Sequence, residues 1–245
     1  MSILDTITTG KTPGPRRVVI YGPGGIGKST WASQAPNPVF IQTEDGLADI
    51  NTSKFPFSHT LAEVKEQLRA LATGDHAYKT AIIDSLDQLE PLIWEQVATS
   101  NGKSHVAEIP YGKGYEQALS DWRKILFVLD KIRDRGIHVI LIGHAKIERF
   151  ENPATEPYDR YNLQLHKKAA AEVTHWADEI LFTNYRVHVR KSDQGFKTTQ
   201  RAVGDGERVV YTQEGPAHIA KSRLSLPPEL PLEWAAYEQH FTKED

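Results

Sequence analysis

Residues 22–30 read GPGGIGKST, and this run decides the fold. Gly22, Gly27, Lys28 and Ser29 satisfy G-x-x-x-x-G-K-[ST], a loop whose backbone N–H groups wrap phosphate oxygens. Pro23 and Ile26 take the variable places, and Gly24 and Gly25 let the backbone fold back on the phosphate side. Such a loop needs a strand before it and a helix after it. RRVVIY at 16–21 supplies the strand, and KSTWASQA at 28–35 continues as a helix until Pro36. The cradle therefore runs through Thr30, with the helix start adding partial positive charge. In this pattern Lys28 reaches the β- and γ-phosphates of a nucleoside triphosphate such as ATP, and Ser29 offers its hydroxyl to Mg2+.

Outward from the loop, strand and helix signals alternate. VFIQTE is a second strand, and Thr60 with Glu63 forms a capping box before an apolar stripe of Leu61, Val64, Leu68 and Leu71. YKTAIID is a buried-type strand, followed by Ser85 and Gln88 as a second capping box and a helix interrupted near Pro91. Leu119, Trp122, Leu126, Leu129 and Ile132 space out as a long amphipathic helix ended by Gly136, and HVILIG is another strand. Repeated alternation of this kind predicts an α/β fold with a mainly parallel central sheet flanked by helices. From about 178 to 211 the pattern changes to EILFTNYRVHVRK and FKTTQRAV around SDQG, an antiparallel hairpin, with RVVYT as one more strand. Trp234, Tyr237 and Phe241 fit a final helix. Residues 1–15, ending in GKTPGP, read as an N-terminal arm whose Ile3, Leu4 and Ile7 form a small apolar docking stripe, and 16–245 as a single domain.

Hydrophobic residues make up 39% of the 245 and charged residues 25%, ordinary values for a chain that folds alone. The absence of cysteine excludes disulfides and thiolate metal sites, and no apolar run approaches a membrane span, so a cytoplasmic location is expected. A net charge of −3 provides no global basic field, which leaves nucleic-acid binding to local patches and stacking. None of the ten histidines falls in a paired-ligand spacing, so no zinc site is expected.

A phosphate loop needs a second carboxylate near its metal. YKTAIID delivers Asp84 to the carboxyl end of the sheet beside the loop, the Walker-B position for Mg2+. The next residue is Ser85 rather than glutamate, so the water-activating acid must come from elsewhere. Glu44 or Asp45, in FIQTEDG after the second strand, can occupy the same edge, and Glu44 is favoured.

This arrangement resembles the RecA-type P-loop ATPases, in which the catalytic glutamate follows the second strand and serine follows the Walker-B aspartate. The match spans most of the chain. More narrowly, GPGGIGKST, IQTEDG, AIIDS, IPYGKGY, LIGHAK and AKSRLSLP resemble compact phage RecA-like proteins of recombination and single-strand annealing. The resemblance implies a RecA-like core, ATP and Mg2+ as ligands, and a homo-oligomer, ring or filament, with nucleotide at or near subunit interfaces. Single-stranded DNA is the implied partner, a single-strand-binding protein a companion, and the host cytoplasm the setting.

By position, His144 of LIGHAK stands where RecA-like proteins commonly place a γ-phosphate-sensing glutamine; histidine there can sense, orient water or pack. Lys146 can serve nucleotide or DNA. Residues 147–168 correspond to the mobile DNA-binding loop of these proteins. There Phe150, Tyr158 and Tyr161 can stack on bases, while Arg149, Arg160, Lys167 and Lys168 can meet phosphates. Tyr111, Lys113 and Tyr115 of IPYGKGY offer similar chemistry in a glycine-flexible loop. Arg186, Arg190, Lys191, Lys197 and Arg201 make the hairpin the most basic stretch, read as a solvated sheet face. Lys221 and Arg223 of AKSRLSLP resemble the K-x-R element of RecA-related hexameric helicases, which reaches a neighbouring subunit's γ-phosphate. Two other functions remain open: a P-loop kinase of small molecules, and a nucleotide-gated switch or helicase accessory with little turnover.

Overall fold

The computed structural model describes residues 2–10, 13–194 and 197–241, with the backbone alone across 187–194 and 197–205. Its centre is β1 (Arg17–Gly22), where Val18, Val19, Ile20 and Tyr21 are all fully buried. A strand covered on both faces reads as a continuous apolar run, which is how RVVIY reads. Around it lie β2 (Pro38–Gln42), β3 (Ser53–Lys54), β4 (Thr80–Asp84), β5 (His138–Phe150) and β7 (Glu179–Gln194), all parallel. Then come β8 (Lys197–Tyr211) and β9 (Glu229–Pro231), both antiparallel, giving the order β3-β2-β4-β5-β1-β7-β8-β9. β6 (Tyr158–Leu163) pairs antiparallel with the far half of β5, outside that path.

Helices cover both faces. α2 (Leu61–Thr73), α3 (Leu86–Ser100), α4 (Lys113–Asp134) and α5 (Lys167–Trp176) bury their apolar stripes against one face through Leu68, Leu89, Trp122 and Val173. The other face receives α1 (Lys28–Ser33) and α6 (Trp234–Glu238), where Trp31 packs on Trp234 and Tyr237 at centroid distances of 4.9 and 5.5 Å. α6 is anchored beneath the sheet by Tyr237, whose hydroxyl donates to Glu179 at 3.2 Å; Glu179 in turn pairs with Arg16. The Thr60–Glu63 capping box closes reciprocally at the start of α2, and Gly136, at φ +86°, ends α4.

Several expectations differ from the structure. Pro91 does not interrupt α3: at the sixth helical position it removes only the bond to the Asp87 carbonyl, and the helix continues. The Ser85–Gln88 capping box does not form, because the Ser85 hydroxyl is drawn to Glu44 instead. Residues 147–163 are not a free loop but a β5–β6 hairpin, and RVVYT is the end of β8 rather than a separate strand. Lys113 and Tyr115 belong to α4 rather than to a loop; Tyr115 is stacked on His166 at 4.7 Å, while Tyr111, 96% exposed, and Lys113 stand clear. In the β7–β8 hairpin Arg186 pairs with Glu207 and Glu229. The side chains of Arg190, Lys191, Lys197 and Arg201, and part of the SDQG turn, lie outside the described residues. In the arm, Ile3, Leu4 and Ile7 are exposed around a short 3-10 turn (Ile3–Thr6).

Candidate nucleotide site

Register places the site. Gly22 of β1 stands opposite His144 of β5, and Gln42 of β2 opposite Asp84 of β4, so the carboxyl ends of β1, β2, β4 and β5 meet at one edge. Between them is a cleft of about 300 Å³ lined by Gly25, Lys28, Ser29, Glu44, Asp84 and His144 among others. Gly22 has to be glycine: a Cβ there would lie 2.2 Å from the carbonyl oxygen of Thr183 on β7. The loop turns through Gly25 and Gly27 at φ +71° and +111°, backbone angles that other residues adopt only with strain.

Lys28 is 5% exposed, and its ammonium donates to the carbonyls of Gly22 (3.2 Å) and Pro23 (2.8 Å), folding over its own loop. Burial lowers its pKa, while Asp84, Asp87 and Glu44 pull the other way. The Ser29 hydroxyl donates to Asp84 Oδ2 at 2.6 Å. Burial raises the Asp84 carboxyl despite that bond. A buried ammonium resting on loop carbonyls, beside a hydroxyl–carboxylate pair, fits a triphosphate with its divalent ion: Lys28 can move to phosphate, and Ser29 and Asp84 can share a metal.

The opposite wall holds the acids. Thr43 and Glu44 both donate backbone N–H groups to the Asp84 carbonyl, at 2.8 and 3.1 Å, which ties the end of β2 to β4. Ser85 then donates to Glu44 Oε2 at 2.6 Å. Asp87, in the first turn of α3, accepts the His144 backbone N–H at 3.0 Å and sits 2.9 Å from its Nδ1. That bond raises the His144 pKa above burial and the nearby Lys28 charge. For Asp87, burial pushes the carboxyl up, and the bonds and charge of His144 bring it below its usual value. With Nδ1 committed to Asp87, Nε2 faces the loop: a Cβ on Gly24 would be 3.9 Å away from it. Glu44 Oε2 lies 3.8 Å from Nδ1, so Glu44, Asp87 and His144 form one cluster.

The remaining expected residues divide. Lys221 donates to the Thr174 carbonyl at 2.6 Å, and Arg223, with a side chain 61% exposed, lies 3.5 Å from Asp178. Asp178 also binds Arg17 at the amino end of β1, so Arg223 is at the opposite end of the sheet from the cradle. Lys146 is bound to the Leu165 carbonyl and Glu148. Of the residues expected to meet DNA, two face inward. Arg160 is buried, paired with Glu214 and set over Phe150, and Tyr161 is half-buried on Phe182. Arg149, Lys167 and Lys168 are exposed, with Arg149 3.8 Å from Asp159 and Lys168 paired with Glu116. Asp87 is the site residue that sequence reasoning passed over; its signal is an acid one turn beyond Asp84, in IIDSLD.

A phosphate cradle at the carboxyl edge of this sheet, with acids delivered by the neighbouring strands, defines a RecA-like P-loop ATPase fold. The family described as AAA domain (AAA_24) matches residues 14–224, and the chain belongs to it. Among solved structures, the crystal structure of the RadB recombinase is similar over 91% of this chain and 90% of that one. Its TM-score is 0.50 at 15% identity, a likeness of fold. No curated protein matches the chain.

Proposed function

We propose that this chain is a recombination-type ATPase that binds ATP with Mg2+, hydrolyses it, and acts as an oligomer on single-stranded DNA. The observation that carries the reading is the separation of two carboxylates across the cleft: Asp84 held by Ser29, Glu44 held by Ser85. Bound with the triphosphate, Mg2+ would offset charge developing on the transferred phosphoryl group. Ser29 and Asp84 would hold that ion, and Lys28 would leave its loop carbonyls for the β- and γ-phosphates. Glu44, its second oxygen free of the Ser85 bond, orients a water and takes its proton as that water attacks the γ-phosphorus, while the bond from the γ-phosphorus to the β–γ bridging oxygen breaks and ADP leaves with that electron pair. Asp87 keeps His144 turned so that Nε2 donates toward the γ-phosphate. The fold shared with a recombinase and the exposed Tyr111, Arg149 and Lys167 support DNA as partner. The position of Arg223, remote from its own cradle, supports completion of the site by a neighbouring subunit.

The test is Glu44→Gln, assayed for ATP binding and for phosphate release with and without single-stranded DNA. Binding retained with hydrolysis lost is expected, along with wild-type binding of single-stranded DNA that weakens with salt. Full hydrolysis by the variant would move the base elsewhere, and failure to bind single-stranded DNA would remove that partner.

A further inference from the structure

The direction in which a nucleotide lies in the cleft follows from the strand order. Glu44, Asp84 and His144, on the β2, β4 and β5 side of β1, mark the γ-phosphate end. What reaches the loop from β7 or β8, on the other side of β1, therefore stands at the nucleoside end. Among the described residues, one charged side chain does so. Arg208 of β8 extends its guanidinium to the loop, where Nη1 donates to the Ile26 carbonyl at 3.3 Å and lies 2.9 Å from where a Gly27 Cβ would be. Leu232 Cδ2 is 3.5 Å from that same point, and the Leu232 N–H bonds back to the Arg208 carbonyl at 3.2 Å. A cation and an apolar side chain thus flank the glycine at which the cradle opens.

Arg208 also differs from the arginines that pair with carboxylates across the sheet and hairpins, and resembles Arg133 and Arg135 in bonding carbonyls alone. Arg16, Arg17, Arg160 and Arg186 each have a carboxylate partner, whereas Arg208 is exposed and, among the described residues, pairs with none. A single long bond to a loop carbonyl is a weak hold on a guanidinium.

We infer that Arg208 and Leu232 form the nucleoside subsite of the cradle, with the nucleobase stacked on the guanidinium face and resting against Leu232. The inference rests on the reading that the cradle takes a nucleoside triphosphate. Stacking on a planar cation uses the π-face common to all bases and leaves the hydrogen-bonding edges unread. The subsite therefore holds a nucleoside without selecting strongly among bases. It also places the base of the β7–β8 hairpin against the ligand.

The experiment measures binding of ATP, ADP and inorganic tripolyphosphate to the full chain and to its Arg208→Ala and Arg208→Lys variants, with thermal melts to verify folding. Loss of the stacking partner should weaken ATP and ADP by about tenfold and leave tripolyphosphate unchanged. Arg208→Lys should restore little, because an ammonium has no face to stack on. Unaltered ATP binding in Arg208→Ala overturns the inference. So does an equal loss for ATP and tripolyphosphate that lysine restores, which would make Arg208 a phosphate ligand. A wild-type chain that binds neither ATP nor tripolyphosphate would instead defeat the nucleotide reading itself.

Discussion

Glu90 of α3 is 5% exposed, and its surroundings are aromatic: Trp94, Tyr115 and Trp122 line the small cavity beside it. Its Oε2 accepts the His166 backbone N–H at 2.9 Å where the chain leaves the β5–β6 hairpin for α5, while Oε1 makes no hydrogen bond of normal geometry among the described residues, the Trp122 indole giving the carboxyl some further polar help. Burial raises this carboxyl from 4.5 to about 7, against the His166 bond and the charge of Lys146. A folded-state pKa above the unfolded one means that the native protein holds a proton the unfolded chain releases, so stability falls as pH rises from 4.5 toward 7. At about 1.4 kcal/mol per tenfold change, full ionisation costs about 3 kcal/mol, of which about 2 kcal/mol develops between about pH 5.5 and 8. With about 2.1 cal/mol/K of unfolding entropy per residue, that span is worth about 4 °C in Tm for a chain of this length. Glu90→Gln keeps an acceptor for the His166 N–H and removes the titration. Melting curves of both proteins across this pH range should therefore diverge, the variant gaining about 4 °C on the wild type as pH rises. Contributions from His144 and other groups are common to both and cancel. Parallel curves would refute the argument, because a carboxyl with an ordinary pKa costs nothing extra at pH 8.

Asp87→Asn should lower the His144 pKa, since the hydrogen bond to the Asp87 carboxylate is its largest cause of elevation. If protonated His144 donates to the γ-phosphate, the alkaline fall of kcat/KM then moves to lower pH; superimposable profiles would count against that role. Gly22→Ala should cost about 1–3 kcal/mol, because the methyl meets the Thr183 backbone at 2.2 Å and β1 must part from β7. Gly25→Ala has no neighbour to meet but forces φ +71° on an L-residue, so it should cost about 1–2 kcal/mol and leave the sheet intact; equal Tm losses with equal loss of the β1–β7 register would contradict the distinction. Mixing Lys28→Ala with Arg223→Ala chains should restore part of the ATPase activity lost by each, since a mixed interface can join an intact cradle to an intact arginine. No rescue at any ratio would exclude a trans role for Arg223.

How far the sequence could be read depended on whether a residue's partner was local. The Thr60 cap was legible because Glu63 is three residues away, and Asp84 because the strand carrying it has its own apolar signature. Ser85 carried an equally good local signal, yet its hydroxyl went to Glu44, a partner 41 residues distant that no local pattern announces. Arg160 misled for the same reason: an arginine among aromatics looks alike whether it meets a nucleic acid or packs inward, and the deciding contact with Glu214 is 54 residues away. β3 and β9, of two and three residues, are too short to carry any periodicity and exist only because a neighbouring strand offers an edge. Arg208 belongs to no motif; only strand order brings it to the loop.

Charge balance at the γ end bears on whether the cradle works alone. Glu44, Asp84 and Asp87 face Lys28 and His144, so even with the imidazole protonated, acids outnumber cations. A triphosphate brings more negative charge than one divalent ion cancels, and the charge on the transferred group must be met as it develops. Lys28 is a single charge already counted in this balance, buried and resting on the Gly22 and Pro23 carbonyls, so it cannot supply more. Arg208 cannot either, because β8 lies beyond β1 from the γ end. On the proposed reading, the further cation comes from outside the strands that build the site. Arg223 is a cation with a largely exposed side chain, held only at 3.5 Å from Asp178, at the end of the sheet that a head-to-tail neighbour would bring to the cradle. On the proposed reading, the oligomer therefore bears on hydrolysis before it bears on DNA: the chain would bind nucleotide with its own residues and gain from a second copy the cation that speeds hydrolysis.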